Sequence, residues 1–100
     1  MKIIWSPLAI ERALEAAKYI ARDKPGAARS WLDGVFEAVD HLEAFPQSGR
    51  MVPEIGLPEY REIVYRRSHR IVYYVDKSAV RVLTVRNFAQ RLDLSELGLD

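Results

Sequence analysis

Residues 60–90 read YREIVYRRSHRIVYYVDKSAVRVLTVRNFAQ. Three runs rich in β-branched and aromatic residues are separated by short polar breaks, which is the pattern of a strand meander. The spacing predicts strands over 60–65, 69–75 and 80–88. Turns fall at Arg66-Arg67-Ser68 and at Asp76-Lys77-Ser78-Ala79. If Val75 faces Val80, strict alternation gives two faces. One carries Ile71, Tyr73, Val75, Val80, Val82 and Thr84. The other carries Arg70, Val72, Tyr74, Arg81, Leu83, Val85 and Asn87. Both are apolar in the middle, so one packs on the rest of the chain. The other forms a concave surface rimmed by arginine, and the pattern alone does not say which is which.

Working outward, the segments before the meander supply its packing partner. Lys2–Trp5 is a short apolar run, predicted as a strand inserted beside the later three. Ser6-Pro7 marks a helix start, with serine as cap and proline in the first turn, where its missing N–H had no partner. Ile10, Ala13, Leu14, Ala17, Ile20 and Ala21 then recur at helical spacing. Asp23-Lys24-Pro25-Gly26 breaks the helix. A second one is expected over 26–44, with the stripe Ala28, Trp31, Leu32, Val35, Val39 and Leu42, widened by Phe36 and Phe45. Trp31 is expected in the core. Two helices with a short link lie antiparallel. Residues 51–59 hold two prolines and a glycine, and read as an irregular loop pinned by Met51, Val52, Ile55 and Leu57. The expected fold is α+β. An N-terminal strand and an antiparallel helix hairpin precede a three-stranded antiparallel meander, which forms one sheet packed on the helices. Residues 1–100 make a single domain, ending in an acidic, leucine-spaced tail over 92–100.

Composition bounds the function. One hundred residues with no cysteine build one small core without disulfides or thiolate metal sites. The N-terminus lacks the apolar stretch and cleavage site of a secretion signal. No apolar run approaches the ~18 residues a membrane span needs. A cytoplasmic location without membrane contact is therefore expected. The net charge of +1 is unevenly spread, at −1 over residues 1–49, +5 over 50–91 and −3 over 92–100. Most of the central excess is arginine, whose planar fork suits phosphate and carboxylate. Ordinary surface arginines would give the same count.

The chain has no Ser/His/Asp set at recognisable spacing and no phosphate-cradling glycine loop. Its only histidines are His41 and His69, too isolated for a metal site, so neither metal nor cofactor is expected. Arginines, the loop carboxylate Glu54 and several tyrosines could support metal-independent RNA cleavage, with arginine holding the phosphate charge and another group moving protons. A solvated loop position is the plain alternative for Glu54.

The ordered set Phe45-Pro46, Gly49-Arg50, Val52-Pro53-Glu54, Tyr60–Tyr65, Arg70–Val75 and Val82–Arg86 resembles the RelE/ParE toxin superfamily over nearly the whole chain. The resemblance implies the toxin half of a type II toxin–antitoxin module of plasmid-stabilisation type. It also implies a cognate antitoxin that masks the working surface, in a toxin–antitoxin complex such as a heterotetramer. Two activities follow from it. ParE-like members bind and block DNA gyrase. RelE-like members are ribosome-dependent mRNA endoribonucleases. By resemblance, Arg70, Arg61, Arg86 and Glu54 would be catalytic in a nuclease, while Arg50, Arg66, Arg67, Arg81 and Asn87 would meet an anion or the target. Many relatives follow the last strand with H-x-R-Q, where this chain has Asn87-Phe88-Ala89-Gln90. A neutral amide at 87 cannot act as a general acid, which favours the gyrase reading and leaves enzymatic activity open. A non-toxin nucleic-acid- or protein-binding domain is the third reading.

Overall fold

The computed structural model describes residues 1–99. Asp100, the end of the acidic tail, lies outside them. Strand β1 (Lys2–Trp5) leads to helix α1 (Pro7–Ala21) and helix α2 (Pro25–Asp40). Strands β2 (Arg50–Met51), β3 (Tyr60–Tyr65), β4 (His69–Val75) and β5 (Ala79–Asn87) follow. Among the described residues they form one sheet in the order β1-β5-β4-β3-β2. The meander is antiparallel, while β1 runs parallel to β5, with Ile3 opposite Val80 and Trp5 opposite Val82. The expected α+β architecture is therefore present, with a mixed sheet.

Ser6 couples the first strand to the first helix. Its Oγ accepts from the Ala9 amide at 3.0 Å and donates to the Leu83 carbonyl at 3.1 Å. The cap thus satisfies an orphan helix donor and ties α1 to β5. The core lies between the helix pair and one sheet face. Ala9, Ala13, Trp31, Val35 and Val39 pack there against Tyr65, Ile71, Val82 and Val85. Trp31 is buried as expected. The small-residue face of α1 lets the helix approach the sheet closely.

Several expectations need correction. Ile10 and Leu14 are exposed, because Ala9 and Ala13 take the inward positions of α1. Helix α2 ends at Asp40 and tightens into a 3-10 turn over His41–Glu43 that buries Leu42. Phe36 and Phe45 lie outside the core, Phe36 against the Trp5 ring and Phe45 against the His41 ring. The segment after Gly49 is not wholly irregular. Arg50 and Met51 pair with Glu62 and Arg61 as a short edge strand. Met51 and Leu57 are exposed, so Val52 is the buried anchor of this segment, with Ile55 partly buried beside it.

The most consequential correction is a β-bulge. Val72 faces Thr84 but Tyr73 faces Val82, so Leu83 is an extra residue in β5. Alternation therefore flips beyond it. Val85 enters the helix-side core opposite Ile71, and Thr84 moves to the other face opposite Val72. Arg86, not Val85, comes to lie across from Arg70, and Arg86 takes the face expected for Asn87. The face carrying Ile71, Tyr73, Val75, Val80 and Val82 is the one on the helices.

The tail folds back onto the second face. Leu92 is buried with Val52 and Val72, and Leu94 and Leu97, in a 3-10 turn, pack beside them. Glu96 pairs with Arg12 of α1. The expected concave surface is thus partly roofed by residues 92–99.

Candidate functional site

The register of four strands sets a polar band across the second sheet face. Arg50 of β2 lies opposite Glu62 of β3, Val64 of β3 opposite Arg70 of β4, and Arg70 opposite Arg86 of β5. Glu62 and Arg70 are both buried, at 1% and 6% exposure. An ionised pair in such a place needs dense hydrogen bonding to offset desolvation. The bonding is present. Arg70 Nε donates to Glu62 Oε1 at 2.8 Å, and Arg50 Nε donates to Glu62 Oε2 at 2.7 Å. The outer edge of the Arg70 fork grips Glu54 in two parallel bonds, Nη1 to Oε2 at 2.6 Å and Nη2 to Oε1 at 2.8 Å. The Phe88 ring covers the cluster, its centroid 5.6 Å from the Arg70 guanidinium carbon and 5.9 Å from that of Arg50. Two arginines and two carboxylates thus cancel in charge.

The bidentate bond from Arg70 holds Glu54 below the ordinary carboxylate range, and Arg70 is in turn raised above the usual arginine value, first by Glu54. A carboxylate so held is ionised at neutral pH and is a weak base. The guanidinium beside it has its fork occupied on both edges. Arg86 faces the same open groove, of about 1230 Å³, with Glu54, Arg70, Phe88 and Gln90. Its Nη2 donates to the Arg91 carbonyl at 2.8 Å, which fastens the start of the tail.

The remaining sequence-predicted residues scatter. Arg61 points to the helix side, opposite Tyr73, where Nη1 donates to the Gly49 carbonyl at 2.9 Å. It is not brought together with Arg70. Arg81 is at the far end of the sheet, donating through Nε to Asp76 at 2.8 Å. That Asp76 carboxylate also accepts from Ser78 and Ala79 and closes the β4–β5 turn. Asn87 caps its own turn, with Oδ1 accepting from the Ala89 amide at 2.8 Å. Arg66 and Arg67 occupy the β3–β4 turn and make no carboxylate pair among the described residues. His69 is half-buried against the Trp31 ring, and burial lowers its pKa.

Glu62 and Phe88 are the members that the pattern of the sequence did not single out. A clue to Glu62 lay in the alternation Tyr60, Glu62, Val64, which puts one carboxylate in an apolar strand row on the face of Arg70. Phe88 gave no comparable signal: the spacing makes it the last residue of the meander's third strand, whereas that strand ends at Asn87.

A family model for the ParE toxin of the type II toxin–antitoxin system, parDE, matches residues 3–92. The chain belongs to the ParE toxin family. A curated relative from Sinorhizobium fredii (strain NBRC 101917 / NGR234), described as "Putative toxin Y4kP", is 32% identical over 90 residues, which cover 90% of this chain and 91% of that protein. Among solved structures, one titled "Chromosomal ParDE TA system from P. aeruginosa" matches with TM-score 0.74 and 17% identity, over 87% of this chain and 95% of that one. The "YoeB/ParE toxin from Agrobacterium tumefaciens" matches with TM-score 0.60 and 16% identity, over 87% and 98%. At these identities the structural likenesses concern the fold.

As a ParE-family toxin, the chain is one half of a toxin–antitoxin module. Gly49 has a physical reason to be glycine in this chain. A Cβ added at Gly49 would lie 2.5 Å from the Tyr73 hydroxyl and 2.7 Å from the Glu62 carbonyl. The bare backbone lets the Gly49 amide donate to Tyr73 Oη at 2.9 Å. That contact delivers Arg50 to Glu62.

Proposed function

We propose that this ParE-family toxin stops growth by binding DNA gyrase, without cutting nucleic acid, and that a cognate antitoxin neutralises it. The observation that carries the non-nuclease part is the double occupation of Arg70 by Glu62 and Glu54. A phosphate-binding arginine needs a free fork, and a general base needs a pKa near the working pH. Here the fork is filled, the carboxylate is held ionised, and position 87 carries a neutral amide. The gyrase part rests on the family resemblance. An apolar cleft of about 340 Å³ beside Ala38, Ile63 and Val64, next to the short edge strand β2, suits a helix or strand supplied by the antitoxin.

The test is gyrase supercoiling with purified, antitoxin-free protein. Inhibition at stoichiometric excess is expected, and undiminished supercoiling overturns the reading. The second reading, a ribosome-dependent ribonuclease, draws on the shared groove of Arg70, Arg86 and Glu54. It requires cuts in translated mRNA that appear only with ribosomes and vanish in Arg70→Lys, which keeps the charge but not the fork.

A further inference from the structure

The β3–β4 turn is built from the wrong residues for its geometry. Tyr65 pairs with His69, and within the three-residue link Ser68 N donates to the Tyr65 carbonyl at 3.2 Å, closing a tight turn with Arg66 and Arg67 at its centre. Arg66 and Arg67 both have positive φ, at 48° and 62°. Such a loop is the type in which Asn-Gly fits with least strain. Two adjacent non-glycine residues in the left-handed region are uncommon. Strain held in an exposed turn points to the side chains as the reason for it.

What the turn presents is positive charge without a counterion. Arg12, Arg50, Arg70 and Arg81 each pair with a carboxylate, whereas Arg66 and Arg67 do not among the described residues. Two carboxylates of the second sheet face, Glu54 and Glu62, are engaged by Arg70 and Arg50. The Arg66 guanidinium is also steadied. It lies over the Tyr65 ring at 5.2 Å from the centroid. Tyr65 is itself fixed by its bond to the Trp31 carbonyl at 2.9 Å. Beside the turn runs the end of β5, where His69 faces Asn87 and the Phe88 amide donates to the Ser68 carbonyl at 2.9 Å. Residues 66–70 and 86–91 contain no carboxylate. Helix α2 borders this end too, since Arg66 Nη2 lies 3.4 Å from where a Cβ on Gly34 would sit, beside Asp33, yet Arg66 forms no ion pair there among the described residues.

We infer that the Arg66–Arg67 turn, beside Asn87, is a contact site for the phosphodiester backbone of a nucleic acid. Two adjacent guanidinium forks on one tight turn suit closely spaced phosphates. The site is separate from the occupied Arg70 cluster. It requires no gyrase, so it stands or falls apart from the function proposed above.

The test is fluorescence anisotropy of the full chain with labelled duplex DNA and, in a second arm, single-stranded RNA of the same length. Titrations are run over a range of salt. Arg66→Asn/Arg67→Gly installs the residues that the turn prefers. Lys2→Gln/Lys77→Gln removes the same charge at the opposite end of the sheet. The Asn-Gly variant is expected to lose affinity at least about tenfold, with the salt slope falling by roughly 2. Its Tm is expected to rise by roughly 4 °C. The lysine control should bind nearly as the wild type. The arm that binds more tightly identifies the nucleic acid. Equal losses in the two variants, or no binding in either arm, would each overturn the inference.

Discussion

Arg70 and the Arg66–Arg67 pair belong to one hairpin, yet they sit in opposite electrostatic situations. Arg70 is buried and held by two carboxylates. Arg66 and Arg67 are exposed, unpaired among the described residues and backbone-strained. The difference teaches that a count of arginines is not a count of available charge. Burial forces pairing, because an uncompensated guanidinium in the interior is costly. Exposure permits a free charge, because water screens it. Of the arginines that drew attention as an anion-binding set, the buried member is part of the fabric. The turn pair remains free to meet a partner.

The largest effect should come from breaking the buried half. Glu62→Ala removes the carboxylate that Arg50 and Arg70 share and leaves Arg70 buried with one partner. Loss of one member of a buried pair costs about 3–5 kcal/mol. Urea unfolding should show it as a large drop in midpoint. The double variant Glu62→Leu/Arg70→Met should recover much of that loss, because an apolar pair avoids the desolvation term. A Glu62→Ala variant as stable as wild type would mean that the network is loose, and that Arg70 is as available as Arg66.

Next in size is the glycine that aims Arg50. Gly49→Ala forces a methyl into the Tyr73 hydroxyl and the Glu62 carbonyl. Overpacking of this kind costs about 1–3 kcal/mol. It should also free Arg50 from Glu62. Thermal unfolding of Gly49→Ala in the wild-type and Arg50→Gln backgrounds tests this. A smaller loss in the second background is expected, since the two changes then share one consequence. Strict additivity would separate the glycine from the ion network.

How much of this was legible follows the physics of each element. The strands at 60–65 and 69–75 could be read because β-branched runs end at turn residues. The first helix could be read because Ser6-Pro7 is a local capping signal. The bulge could not. Leu83 suits either sheet face, so nothing in VRVLTVR marks it as the extra residue, and the error carried into Thr84, Val85, Arg86 and Asn87. Likewise β2 is two residues long, too short for any period, and its pairing is what places Arg50 on Glu62. Resemblance brought Arg70 and Glu54 forward. Their mutual contact, and the part of Glu62 in it, depend on cross-strand register, which exists only in three dimensions. The turn at 66–67 gave no hint of positive φ, because arginine is not a residue that the geometry favours.

The smallest effect sharpens the comparison at the rim of the network. Glu54 is 39% exposed at its side chain, so its pair with Arg70 is partly screened and should contribute no more than about 1 kcal/mol. Its folded pKa lies below the ordinary value, chiefly through the bond from Arg70. The contribution is therefore complete above the unfolded value of 4.5 and is lost as the pH falls through the depressed folded value. Glu54→Gln should be slightly less stable than wild type near neutrality, with the gap closing at an acid pH below the depressed folded value. Paired chemical unfolding at the two pH values measures the gap. A gap of the same size at both would mean that Glu54 acts through packing and not through its charge. Arg70 would then depend on Glu62 and the Phe88 ring, and its outer edge would be nearly as open to an incoming phosphate as the Arg66–Arg67 turn.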